Sequence, residues 1–215
     1  MSDPPKIEPG DSARPTGAAR GDETYRRILD RAVARFDRDG AAGVVVTAIA
    51  REAGVSVGAV YHHFSGRSGL VAAARTEQFR RTTEADIAEV ERALGSARDG
   101  QEFLALNREL VRRNRLPERA AARRQRLAAL VAADEDPETA VMVADAQRRL
   151  TDALAAAGTV AAGRGWFDPE VDTRAWAVLM QGLLLGSVVA DLDPDLDEAA
   201  WIGLVERVQD LAIRP

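Results

Sequence analysis

The apolar positions of this chain repeat almost everywhere with a helical period. Tyr25, Ile28, Leu29, Ala32, Val33 and Phe36 fall at the i, i+3, i+4 spacing of one face, which predicts a helix over residues 22–39 with Gly40 as its stop signal. Two short helices follow, over 46–53 and 57–64, with Gly54 between them and Ser56 placed as the cap of the second. Longer helices are predicted over 68–94, 101–115 and 117–132, the last with Pro117 in its first turn, where a missing N–H costs nothing. Another opens at the "DEDPE" of 134–138 and runs to about 157. A glycine-rich loop, "GTVAAGRGWFDPE", then leads to helices over 171–190 and 197–213. The single β-like run, "GVVV" at 43–46, is too short and isolated to build a sheet. The pattern predicts an all-α fold.

The longest apolar run, residues 175–190, spans 16 residues and contains Gln181 and Ser187. A bilayer span needs about 20, so this run reads as a core helix. Composition adds two limits. The chain has no cysteine, which removes disulfides, thiolate metal sites and a cysteine nucleophile. Residues 1–21 hold Pro4, Pro5, Pro9 and Pro15 among mixed charges and lack the apolar stretch of a signal peptide, so they read as a disordered arm on a cytoplasmic protein. Charge is unevenly placed. The net charge is −5, yet residues 22–81 carry ten arginines against seven carboxylates. A slightly basic head on an acidic body suits a head that binds a polyanion.

Both histidines of the chain lie in one stretch, "GVSVGAVYHHFSGRSGL", residues 54–70. Neighbouring helical residues point about 100° apart, so His62 and His63 cannot chelate one ion, and no cysteine completes a metal site. No nucleophile and orienting carboxylate stand nearby in sequence, so a catalytic histidine has no support. No catalytic residue, metal or cofactor is expected. What remains is a helix-turn-helix. Ile49, Ala50, Ala53, Val55 and Val60 supply the small apolar contacts that hold two short helices at a steep angle, and Gly54 permits the left-handed turn. Such a unit sets its second helix in a DNA major groove. Tyr61, His62 and His63 on that helix, and Arg67 at the start of the next, offer donors to phosphates and base edges.

The stretch "TAIAREAGVSVGAVYHHFSGRSGL" resembles the helix-turn-helix signature of the tetracycline-repressor-like (TetR/AcrR) family, with a match over about 23–73. The resemblance implies an all-helical homodimer with a DNA-binding domain at 22–67 and a ligand-binding and dimerisation domain at 68–215. It implies double-stranded DNA with a palindromic operator as one partner and a small-molecule inducer as the other, and no membrane. Val57, Gly58 and Ala59 then start the groove-facing helix, Tyr61 and His63 match phosphate contacts, and His62 matches a variable position that often reaches the DNA. Arg67 stands where the family usually has lysine. The family often has a threonine or serine cap at the positions of Val44 and Val45. Here Thr47 is offered instead, and it joins the DNA contacts.

For the body, the resemblance implies a dimer seam formed by the last two long helices, with Leu179, Gly182, Leu183, Gly186 and Val189 on one and Trp201, Leu204, Val205 and Val208 on the other. It also implies an inducer pocket among the middle helices, for which Phe103, Leu106, Trp166, Trp176 and Met180 are the candidates. An aliphatic-rich body suggests a hydrophobic or amphipathic ligand. Arginines 108, 112, 113, 115, 119, 123, 124 and 126 read by default as a solvated face, and otherwise as an anion-accepting pocket mouth or second nucleic-acid surface. The resulting expectation is a ligand-released repressor. The alternatives are an activator or ligand-independent regulator of the same fold, or a helical small-molecule-binding protein without DNA function.

Overall fold

A computed structural model describes residues 17–134 and 137–214. Its helices in chain order are α1 (Gly17–Gly43), α2 (Val46–Ala53), α3 (Val57–Phe64), α4 (Arg67–Ser96), α5 (Gly100–Arg115), α6 (Ala120–Ala132), α7 (Pro137–Gly163), α8 (Thr173–Ala190) and α9 (Glu198–Gln209). A short 3-10 turn, Pro117–Arg119, joins α5 to α6 with Pro117 at its start. Among the described residues the one β-type contact is an isolated antiparallel bridge between Phe167 and Ile213.

Several boundaries depart from the periodicity. α1 begins at Gly17, five residues before the expected start. Residues 1–16 of the expected arm, and 135–136 of the "DEDPE" helix start, lie outside the described residues. Gly40 does break α1, with φ +62° and ψ −155°, but a last helical turn follows it. α7 continues through the stretch read as a glycine-rich loop. The reason is packing: a Cβ on Gly158 would stand 3.1 Å from the Thr173 methyl. That glycine lets α8 approach α7 and turns nothing.

The head has its own core, in which Ile28, Ile49, Val60 and Leu70 are fully buried. Leu70, Val71 and Ala74 of α4 belong to that core, so a domain boundary at 67 cuts through it. α4 is shared, its first two turns packed in the head and its remainder in the body against α6 and α7. The α3–α4 junction is tight. Ser65 adopts φ +54° and Gly66 φ +105°, and a Cβ on Gly69 would meet the Phe64 carbonyl oxygen at 1.9 Å. Only glycine allows α4 to leave α3 at this angle.

Candidate DNA interface and ligand cavity

α2 and α3 pack through Ile49, Ala50, Ala53 and Val60, all buried, while α3 turns its other face outward. Gly54 closes α2 in the left-handed region at φ +65°. Ser56 caps α3, its hydroxyl accepting from the Ala59 N–H at 3.1 Å. On the outward face, Val57, Gly58 and His62 are exposed, Ala59 and His63 half-buried, and Tyr61 is 55% exposed. Phe64, by contrast, is core and stacks on Tyr25 of α1 at 4.6 Å between centroids. His63 meets the same Tyr25 ring edge-on at 6.1 Å and His62 at 5.2 Å. Nothing in the apolar pattern pointed to the Tyr25 contact, which fixes the histidine end of α3 against α1.

Thr47 is exposed in the first turn of α2, and the cap position is Val45, with no side-chain hydrogen bond. Thr47 therefore does not stand at the cap position and is exposed. Arg67 is differently placed from the expectation. Its Nε donates to the Val44 carbonyl at 3.0 Å and its Nη2 to the Ala41 carbonyl at 2.5 Å. Arg67 thus brackets α4 to the α1–α2 turn while remaining exposed.

In the body, a cavity of about 530 Å³ lies among α4, α5, α6, α7 and α8. Phe103, Trp176 and Met180 line it. Leu106 and Trp166 do not. The α5 stripe that faces the cavity is Phe103, Asn107, Leu110, Val111 and Asn114, a true i, i+4, i+7 series, and Leu106 lies beside it. Trp166 packs outside the wall, 6.1 Å from the Phe103 ring and under the Arg164 guanidinium at 4.8 Å. Sequence reasoning also missed the polar wall. Gln147 of α7 donates to Gln181 of α8, and Gln181 donates to the Thr151 hydroxyl at 3.1 Å and to the Ala177 carbonyl at 3.0 Å.

The arginine series is not a solvated face throughout. Arg115 and Arg123 are buried. Arg115 donates to both oxygens of Glu198 at 2.6 Å, to Asp191 at 2.9 Å and to the Ser187 carbonyl at 2.8 Å. Arg123 grips the other side of Asp191 through its Nε at 2.9 Å. Arg108 and Arg112 pair with Asp210 and Glu206, Arg113 with Glu89, and Arg126 with Asp86 at 2.6 Å. The series ties α5 and α6 to α4, α8 and α9. Burial holds the Asp86 carboxyl above its usual range, and its bond to Arg126 opposes that rise.

The remaining face of α8 is apolar and open. Val178, Leu179 and Val189 are exposed, as is Leu204 on α9. Gly182 is exposed, and Leu183, Gly186, Trp201 and Val208 are half-buried. Val205 leaves the expected seam: it is buried against Val111 and Met180. α8 is the one described helix long and apolar enough to cross a membrane by length and composition. In this fold it lines the cavity through Ala177, Met180 and Gln181 and exposes Leu179 and Val189, while Val178 and Gly182 are both exposed and part of the lining. Among the described residues, no three His, Asp or Glu side chains are grouped to hold a metal ion.

A helix-turn-helix on its own core is joined through one long helix to a hollow all-helical body. Residues 28–74 match the family model of the bacterial regulatory proteins, tetR family. Over this head the chain is similar to the TetR family of transcriptional regulators. It is 46% identical over 50 residues to the HTH-type transcriptional regulator SrpR of Pseudomonas putida, covering 23% of this chain and 24% of SrpR. Identity is also 46% over 50 residues to the uncharacterized HTH-type transcriptional regulator TtgW, likewise of Pseudomonas putida, over 23% of this chain and 37% of TtgW. The match thus spans about a quarter to a little over a third of these relatives' length. The fold is similar to that of a transcriptional regulator from Saccharomonospora viridis solved with choline, at TM-score 0.65 and 20% identity over 90% of this chain and all of that one. It is also similar to SmeT, the repressor of the Stenotrophomonas maltophilia multidrug efflux pump SmeDEF, at TM-score 0.56 and 22% identity over 89% and 93% of the two chains.

Proposed function

We propose that this chain is a cytoplasmic, homodimeric repressor that binds a palindromic operator and is released from it by a small molecule held in the body cavity. The observation that carries the reading is the continuity of α4. Its first turns are locked into the head by Arg67, Leu70 and Val71, and its later turns, through Thr82, Asp86, Glu89 and Val90, form a wall of the cavity. A ligand that displaces this wall moves the base of the head. Two recognition helices must present themselves about 34–36 Å apart, or a multiple of it, to engage both half-sites. A shift of a few Å then removes simultaneous binding, provided the ligand prefers the DNA-incompetent arrangement. The open apolar face of α8 and α9 is the proposed twofold seam, since closed symmetry buries one such patch against its own copy. Thr47, Val57, Gly58, Ala59, Tyr61, His62 and His63 are the proposed DNA contacts.

The test is selection from a randomised duplex library, read by sequencing, with wild type and the Tyr61→Ala, His63→Ala double variant. Wild type is expected to enrich a palindrome and the variant to lose it. Failure of wild type to enrich any sequence at moderate salt overturns the DNA-reading role.

A further inference from the structure

The ligand-responsive reading leaves open what the cavity holds, and its walls differ from end to end. One end is aromatic: Phe103, Phe167 and Trp176 meet there beside Ile213, with the Phe167 and Trp176 rings 5.9 Å apart. The other end, where α5 turns into α6, is charged, with Arg119, Arg123 and Arg126 opposite Asp86 and Glu89. From Phe103 to Asn114 along α5 is about 16 Å at the helical rise. That length suits an extended molecule.

The charges at the second end do not balance. Asp86 is matched by Arg126, Glu89 by Arg113, and the Asp191 and Glu198 carboxylates by Arg115 and Arg123. Arg119 forms no ion pair among the described residues, and it faces the cavity from the start of α6, whose positive dipole end lies at the same place. Beside it, Asn114 Nδ2 is buried with no acceptor. Gln147 Oε1 and Gln209 Oε1 are likewise unmatched in the wall, but an amide presents either end by rotation. A guanidinium only donates. Arg119 therefore sets the sign: this end lacks an anion. The carboxylates at the charged end are already paired, so a cationic head finds no free carboxylate there.

We infer that the cavity takes an amphipathic acid, its apolar body against Phe103, Phe167 and Trp176 and its carboxylate against Arg119 and Asn114. This deepens the reading above and does not depend on which DNA is bound. The carboxylate also arrives beside Arg126, where it competes with Asp86 for the guanidinium that ties α6 to α4.

Binding of decanoate, decanol and decyltrimethylammonium to the full-length, DNA-free chain, followed by calorimetry and tryptophan fluorescence, tests this. Decanoate is expected to bind at least tenfold tighter than the other two. Arg119→Gln is expected to erase that preference while leaving decanol binding unchanged, and Arg124→Gln, on α6 but outside the cavity, to keep it. Preference for the cation, equal binding of all three, no binding of any, or an anion preference that survives Arg119→Gln each overturns the assignment. Library selection of DNA by the ligand-free chain is a separate readout, so failure here and failure of the regulator reading are distinguishable.

Discussion

The Nε of Arg67, the first residue of α4, donates to the carbonyl of Val44 in the α1–α2 turn at 3.0 Å, and its Nη2 reaches the Ala41 carbonyl. The helix that walls the cavity is thereby fastened to the segment that presents Thr47 and the rest of α2. A lysine keeps the charge but cannot hold two carbonyls in a fixed fork. Arg67→Lys is expected to lower head stability by about 1 kcal/mol, the figure for charge-assisted bonds discounted because the side chain is exposed. Urea denaturation followed by circular dichroism measures it. No change in midpoint means that the bracket is not formed in solution.

Gly69 is the second fastening. An alanine methyl there would stand 1.9 Å from the Phe64 carbonyl oxygen, and backbone cannot swing aside as a flexible side chain can. Gly69→Ala is expected to cost at least about 1–3 kcal/mol, the range for overpacking, and to reorient α3 against α4. DNA affinity then falls more than stability does. An alanine variant with wild-type melting and wild-type DNA binding contradicts the junction as described.

On the reading face, side chains that reach phosphate and those that reach bases separate by their response to salt. Tyr61→Phe and His63→Ala are expected to weaken binding alike on all duplexes, as loss of a phosphate contact does. His62→Ala, at an exposed position of α3, is expected to relax preference at one operator position, at a cost of about 1–3 kcal/mol there. Titrations on operator and scrambled duplexes at several salt concentrations distinguish the two patterns.

The head was legible in the sequence because its determinants are local. Ser56, Gly54 and the spacing of Ile49, Ala50, Ala53 and Val60 act within a few residues of one another, and each stands where the pattern placed it. The body was less so. Arg115 and Arg123 read as surface because Asp191 and Glu198, which bury them, lie some 70 to 80 residues away in the chain. Gly158 read as a turn because a close helix crossing and a bend use the same residue. Leu106 and Val205 sit on the other side of helices whose extents the periodicity does predict. The α5 stripe of Phe103, Asn107, Leu110 and Asn114 mixes amides with apolar residues, and cavity walls, unlike cores, tolerate that mixture.

Leu179 and Leu204 test the seam. Both are about half exposed on the outer face of α8 and α9. Aspartate at both positions sets like charges against each other across a twofold contact and removes apolar burial worth about 25 cal/mol per Å². The double variant is expected to sediment as a monomer that keeps its helicity and loses cooperative binding to a two-half-site duplex. A wild-type chain that is already monomeric at working concentration removes the seam from this face.

Asp191 carries the last prediction, because it holds two buried arginines at once. Arg123 on one side and Arg115 on the other keep its carboxyl below the usual range, and Arg115 does the same for Glu198. A carboxyl whose folded pKa is depressed contributes stability that is present above its unfolded value, here 3.8 for Asp191 and 4.5 for Glu198. That stability is lost as pH falls through the lower folded value. The chain is therefore expected to lose stability steadily as pH drops from near 4.5 through 3.8 and below. Asp191→Asn removes one partner from a site where Arg115 and Arg123 side chains are only 6% and 5% exposed. It is expected to cost about 3 kcal/mol near neutral pH, the lower end for breaking a buried pair, because Arg115 keeps Glu198. Its denaturation midpoint should also vary less with acid than that of wild type. Parallel slopes for the two proteins, measured by urea denaturation across that pH range, place the acid sensitivity elsewhere than in the network joining α5, α6, α8 and α9.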